Sequence, residues 1–285
     1  MARSARELAR GTPALSTLPM IYLRLSEALA NPRVSTAQIA DIISSDAAMT
    51  ARLLRLVNSA FYALPTRIET VQQAVFLVGT QQIHNIALAT SVLRVFARIP
   101  AELVDMESFW WHSIATGVTA RTLATYRNER GTERFFAAGI LHDLGRLLFF
   151  VADPDAARAA LVRSRTHGEP LVVAERNVVG YDHAEAGGAL LEAWNLSEDL
   201  QDMVRWHHAP ADARRHAREA AVVHVADLIA TALELGNSGD PAVPPLAPGA
   251  WEQIELSPTV LGALTEHVER QVNDVARSLI PVASQ

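Results

Sequence analysis

The chain has 285 residues, 49% of them hydrophobic, which is enough for one large or two small domains with a proper core. It has no cysteine, so disulfides, thiolate metal sites and cysteine nucleophiles are excluded. The net charge of −6 argues against nucleic acid as the main partner.

Residues 1–12 (MARSARELAR and two more) are polar and Arg-rich, and are expected to be a mobile N-terminus. No apolar core follows them, so they do not read as a signal peptide. No apolar run is read as approaching the roughly 20 residues of a membrane helix. A soluble, cytoplasmic protein is the expectation. From Pro13 the pattern becomes helical, with Leu15, Leu18, Ile21, Leu25 and Leu29 at three- and four-residue steps. Asn31-Pro32 ends that helix. Ser35 and Gln38 form a capping-box pattern before Ile39, Ile42 and Ile43. Ser45 or Asp46 caps a helix bearing Met49, Leu53, Leu56 and Val57, and Asn58-Ser59 ends it. Thr70 with Gln73 opens another, which Gly79 stops, and Thr80 caps the one after it. Five short helices over 13–100 make a compact bundle. Two of them joined by a turn could suggest a DNA reader, but only Arg52 and Arg55 offer basic contacts.

Pro100 introduces a second helical block. A helix from about Met106 carries Phe109, Trp110, Trp111 and His112; one from about Glu133 contains His142-Asp143. Helices follow at 154–166 and about 170–179, then the turn Gly180-Tyr181-Asp182 and a helix from His183. Ser197 caps a helix running to His207-His208, and residues 217–235 hold His224 and Asp227. Gly236 to Gly249 reads as a long Gly- and Pro-rich loop, and Leu256 to Leu279 as a last helix. The pattern predicts no strand and no internal repeat. The expected fold class is all-α, an N-terminal helical bundle packed on a second helical domain. The boundaries are 1–12, 13–105, 106–235, and 236–285 for the loop and C-terminal helix.

The stretch AGILHDLGRLLFF organises the chain. Adjacent His142 and Asp143 inside apolar sequence cost several kcal/mol to bury unless a metal, a partner or a hydrogen bond compensates. A metal pair and a buried His–Asp hydrogen bond are both open on these two residues alone. Five further residues of ligand type lie in the same block: His112, His183, His207, His208 and Asp227. His207 and His208 are splayed by about 100° if helical, so they suit two metals, or one metal and a substrate oxygen. His224 and Asp227 share a helix face. Mixed imidazole and carboxylate donors suit Fe, Mn, Zn or Ni rather than Ca.

LHDLG resembles the signature of the HD superfamily of metal-dependent phosphohydrolases. LPMIYLRLSEAL, ADIISSDAAMTARLLRLVNSAFYAL, AVFLVGTQQIHNIAL, FWWHSIATGVTARTLA, GYDHAEAGGALLEAWNL and RWHHAP, in that order, resemble the HDOD domain, a bacterial signalling relative of the HD and HD-GYP proteins. The resemblance covers about 13–235 and implies an HD-like helical domain. It implies a first metal site of His112, His142, Asp143 and Asp227, with His183, His207 and His208 similar to the ligands of a second. Two departures stand out. Arg146 stands where HD-GYP enzymes have Lys, and the GYP motif that recognises a cyclic dinucleotide is absent. The resemblance therefore implies a stand-alone regulatory module that binds signalling proteins or a nucleotide second messenger. The alternative it leaves open is a metal-dependent phosphohydrolase acting on a nucleotide.

Overall fold

A computed structural model of the chain describes residues 3–12, 18–93, 95–96, 99–100, 102–240 and 242–280. Among these residues the protein is all-α, with no strand. Helix α1 is Ala5–Arg10, α2 Met20–Leu29, α3 Thr36–Ser44, α4 Ala47–Val57, α5 Val71–Val78 and α6 Thr80–Val92. The second block holds α7 Met106–Tyr126, α8 Glu133–Leu141, α9 Leu144–Ala152, α10 Pro154–His167, α11 Leu171–Val179, α12 His183–Ala193, α13 Glu198–Arg205 and α14 Ala217–Ala232. The short α15 Ala250–Ile254 and the long α16 Leu261–Leu279 close the chain.

Several helix starts are set by local chemistry. The capping boxes of α3 (Ser35 with Gln38) and α5 (Thr70 with Gln73) both form. The Asp46 carboxylate accepts the amide of Met49 at 2.9 Å, so Asp46 rather than Ser45 caps α4. Each side chain satisfies an amide that has no intrahelical partner.

Residues 1–12 were expected to be mobile, yet they carry α1. Ser4 and Glu7 form a third capping box, and Ala5, Leu8 and Ala9 are buried where α1 lies on α12. The Ser4–Glu7 spacing was the available signal, masked by the arginines around it. Among the described residues the first helix of the bundle begins at Met20; the expected start at Pro13, with Leu15, lies outside the described residues.

Helix α7 is central, with fourteen buried residues from Phe109 to Ala124. It packs on α8, α14 and α16, and α8 in turn lies against α6 of the N-terminal block. One buried apolar cluster therefore runs from Ala5 to Leu279. Phe61 and Phe136 meet across the two blocks with ring centroids 5.1 Å apart, and the Arg121 guanidinium lies 4.2 Å from the Phe61 ring centroid.

The stretch Glu133–Ala152 is, by length and composition, apolar enough to cross a membrane, contrary to the expectation that no run approaches that length. It is 89% buried within the protein and is not one helix. The chain breaks at His142-Asp143, with Asp143 at φ −96°, ψ 7°, and restarts as α9. Two close approaches hold this break in place. A Cβ on Gly139 of α8 would stand 2.4 Å from the Gly117 Cα of α7. One on Gly145 of α9 would stand 1.9 Å from the His183 carbonyl of α12.

Gly145→Ala must push α9 off α12, so it is expected to lower unfolding free energy by about 3 kcal/mol or more. Gly262 in α16 has open space at its Cβ, and Gly262→Ala is expected to raise stability by about 0.5 kcal/mol. Urea unfolding of the two variants beside the parent protein checks both signs.

Candidate metal centre

His112 comes from the first half of α7, and Asp227 from α14, which packs on α7. His142 and Asp143 sit at the break between α8 and α9. His183 opens α12. His207 and His208 follow α13, which ends at Arg205 rather than continuing through them, so their backbone is a turn and not the expected helix.

All seven side chains converge. His112 Nε2 lies 3.1 Å from Asp227 Oδ1 and 3.9 Å from Asp143 Oδ2. His142 Nε2 lies 3.3 Å from Asp143 Oδ2 and 3.7 Å from Asp227 Oδ1. On the other side of the same carboxylate, His183 Nε2 lies 3.1 Å from Asp143 Oδ1. His208 Nε2 is 2.8 Å from His183 Nε2, and the ring centroids of His207 and His208 are 4.0 Å apart. Asp143 thus faces two donor sets, one with each oxygen. Three triads each place ligand atoms within 4.8 Å of one another: His112–His142–Asp227, His142–Asp143–His207 and His183–His207–His208.

The imidazoles are oriented by hydrogen bonds on their far nitrogens. Nδ1 of His142 donates to the Gly139 carbonyl at 2.6 Å, and Nδ1 of His207 to the Val204 carbonyl at 2.7 Å. In the neutral rings this leaves the Nε2 lone pairs aimed at the centre. Both Nε2 atoms are buried without a hydrogen-bond partner, as are both oxygens of Asp143, whose histidine neighbours are close but misaligned for hydrogen bonds. Orphaned buried donors and acceptors carry a desolvation cost of about 1–3 kcal/mol each. Inward-aimed lone pairs on imidazole and carboxylate fit a divalent transition metal.

The electrostatics divide the centre. Burial alone would push His142 down, but Asp143 and Asp227 outweigh it and hold the imidazole above its ordinary value. Burial also favours neutral Asp143, yet Arg146, His142 and His183 keep its carboxyl well below the usual range. Asp227 is likewise held down, against burial, by His112 and His142. Burial and Arg146 oppose charge on His183, but Glu175 and Asp143 carry it up to about 10. Burial, with His142 and His183, pushes His207 down to about 3, and burial and His207 push His208 down as well.

Residues outside the predicted set complete the centre. Glu175 accepts both the Nδ1–H and the backbone amide of His183, at 2.6 and 2.9 Å. Arg146 is 2% exposed; its Nε lies 3.3 Å from Asp143 Oδ1 and its Nη1 donates to Ser238 Oγ at 2.7 Å. It also pairs with Asp240. His224 shares the face of Asp227 but stands behind the centre: Nδ1 donates to the His207 carbonyl, and Nε2 accepts the Ala247 amide. Glu175, Ser238 and Asp240 carry no local signal, because each acts on a residue distant in sequence or across a turn.

The HDOD domain family profile matches residues 15–210. An uncharacterized protein of Treponema pallidum (strain Nichols) is 30% identical over 192 residues, covering 67% of this chain and 37% of that protein. The match thus spans just over a third of that curated relative. The crystal structure of an HDOD domain protein of unknown function from Geobacter sulfurreducens superposes with a TM-score of 0.80 at 24% identity, covering 97% of each chain. A Shewanella amazonensis SB2B protein, provisionally designated a metal-dependent phosphohydrolase, gives a TM-score of 0.64 at 21% identity, covering 92% of this chain and 91% of its own. At these identities the two structural likenesses establish the fold alone.

His183 is raised in the folded state, so in chelator-treated protein it contributes stability that is complete below its unfolded pKa of about 6.5. That contribution is lost as pH rises through about 10. Glu175→Gln removes the anion on Nδ1 and is expected to flatten the decline. Urea midpoints from pH 6 to 10, for the parent and the variant, check the sign.

Proposed function

This chain belongs to the HDOD domain family, and from that premise we propose that it is a regulatory module of the HD superfamily. It acts by binding a signalling protein or a nucleotide second messenger, in a cytoplasmic setting. Its buried centre holds a divalent transition metal (Fe, Mn, Zn or Ni) on His112, His142, Asp143 and Asp227, with His183, His207 and His208 as a second donor set. What supports the metal is the set of orphaned, inward-aimed donors. A metal bound there supplies positive charge to the anionic oxygens of Asp143 and Asp227. The side chains around it fix the imidazole tautomers.

The observation that carries regulation over catalysis is access. His112, His142, Asp143, His183, His207 and Asp227 are between 0 and 6% exposed. A phosphodiester must touch these donors to react, and the transition-state charge must lie within hydrogen-bond reach of the groups that stabilise it. Only His208 among the seven is partly exposed; it borders a cavity of about 380 Å³ with Trp206, Arg176 and Arg205. The missing cyclic-dinucleotide motif agrees with this reading. The second reading, a metal-dependent phosphohydrolase acting on a nucleotide, rests on the two donor sets that share Asp143, an arrangement that metal-assisted hydrolysis can use.

Purified protein loaded with Mn or Fe is expected to retain metal and to gain about 3 kcal/mol of stability at a hundredfold excess over Kd. Asp143→Ala is expected to lose both the metal and the gain. Assays on cyclic dinucleotides, cyclic mononucleotides and a generic phosphodiester are expected to show weak or no turnover. Robust turnover that disappears in Asp143→Ala, with its helical spectrum intact, establishes the hydrolase instead.

A further inference from the structure

The second donor set already contains a cation. Arg146 reaches from α9 into the space between Asp143 and His183, with Nε 3.3 Å from Asp143 Oδ1 and Nη2 3.4 Å from His183 Nε2. These are the two atoms that a second metal shared between Asp143 and His183 would have to join. The guanidinium is not free to swing away. Nη1 donates to Ser238 Oγ, Nη2 pairs with Asp240, and Asp240 is itself fixed because its Oδ1 accepts the Leu171 amide at 2.9 Å. Arg146 is 2% exposed, so it has no solvent to retreat into.

We infer that Arg146 is the permanent cation of the second donor set, and that the centre takes one divalent metal per chain rather than two. The inference rests on the metal reading above and assigns its stoichiometry. The physical reason is direct. A fixed guanidinium cannot lose its proton in a protein, and it lies against the ligand atoms of the second position. A divalent ion placed there would meet a full positive charge at contact distance in a buried, weakly screened site. Among the described residues the first position has no such neighbour. His112, His142 and Asp227 form their own triad, and it reaches Asp143 through Oδ2, the oxygen turned away from Arg146.

The same geometry says what removes the restriction. Taking out Arg146 alone would leave the partly buried Asp240 carboxylate without its cation. Exchanging both partners, Arg146→Met with Asp240→Asn, removes the pair together and opens the second position.

The test is metal content and electron paramagnetic resonance of the full chain saturated with Mn(II) and then desalted. The parent protein is expected to hold one Mn(II) per chain with an uncoupled six-line spectrum. The double variant is expected to hold two, with the broadened spectrum of an exchange-coupled pair. Two metals in the parent protein overturn the inference and leave the metal reading standing. No metal in the parent overturns both. A folded double variant that still holds only one also overturns the inference, because Arg146 is then not what excludes the second. If the double variant does not fold, the parent stoichiometry decides alone.

Discussion

The Asp143 carboxylate is 1% exposed and has no aligned hydrogen-bond donor among the described residues. Burying a carboxylate costs several kcal/mol even after the protein relaxes. One cation at 3.3 Å, the separation of Arg146 Nε from Asp143 Oδ1, returns on the order of 5 kcal/mol at an effective dielectric constant of about 20. A single partner therefore only roughly balances the burial, with nothing left for the ordering of the arginine. The other oxygen faces His142 and His112 and needs its own positive neighbour. The surrounding architecture follows from that requirement. Helices α7, α8, α9, α12 and α14 each bring a charged or ligating group to this one carboxylate or to its immediate neighbours, and the close approaches at Gly139 and Gly145 let them come near enough.

The same device orients two of the histidines. An α-helix leaves its last carbonyls without amide partners. His142 stands just past the end of α8 and donates Nδ1–H to Gly139, three residues back; His207 stands just past α13 and donates to Val204, also three residues back. Each imidazole satisfies a helix-end carbonyl and in doing so fixes its own tautomer with Nε2 inward. Had α8 continued through the His-Asp pair, the Gly139 carbonyl would have gone to a backbone amide. His142 would then have had no local partner to hold its ring.

Much of the fold was legible because it is written locally. The Ser35–Gln38, Asp46–Met49 and Thr70–Gln73 relations span three residues each, and the starts of α3, α4 and α5 follow from them. The seven ligand-type residues were legible as a set because buried imidazole and carboxylate are rare in apolar sequence, and the family resemblance ordered them. The failures have more than one cause. The break at Asp143 looks helical by periodicity, since apolar residues continue on both sides, and only the three-dimensional demand on the carboxylate ends the helix. The end of α13 before His207 failed for the same reason. The α1 segment was hidden by its arginines, although its capping box was in the sequence. Glu175, Ser238 and Asp240 act on side chains 8, 92 and 94 residues away, and no periodicity reports such a relation.

The Gly- and Pro-rich segment between α14 and α15, legible only as a long loop, is tied to the centre near both ends. Ser238 and Asp240 hold Arg146, which faces Asp143, while the Ala247 amide donates to His224, whose other nitrogen holds the His207 carbonyl. The Asp240 carboxylate also holds the Leu171 amide at the start of α11, the helix that supplies Glu175 to His183. The loop is thus one bond removed from Asp143 and from both donor sets. Burial of the His–Asp centre leaves these bonds weakly screened, so the loop is held to the centre by interactions stronger than the same pairs would make in water.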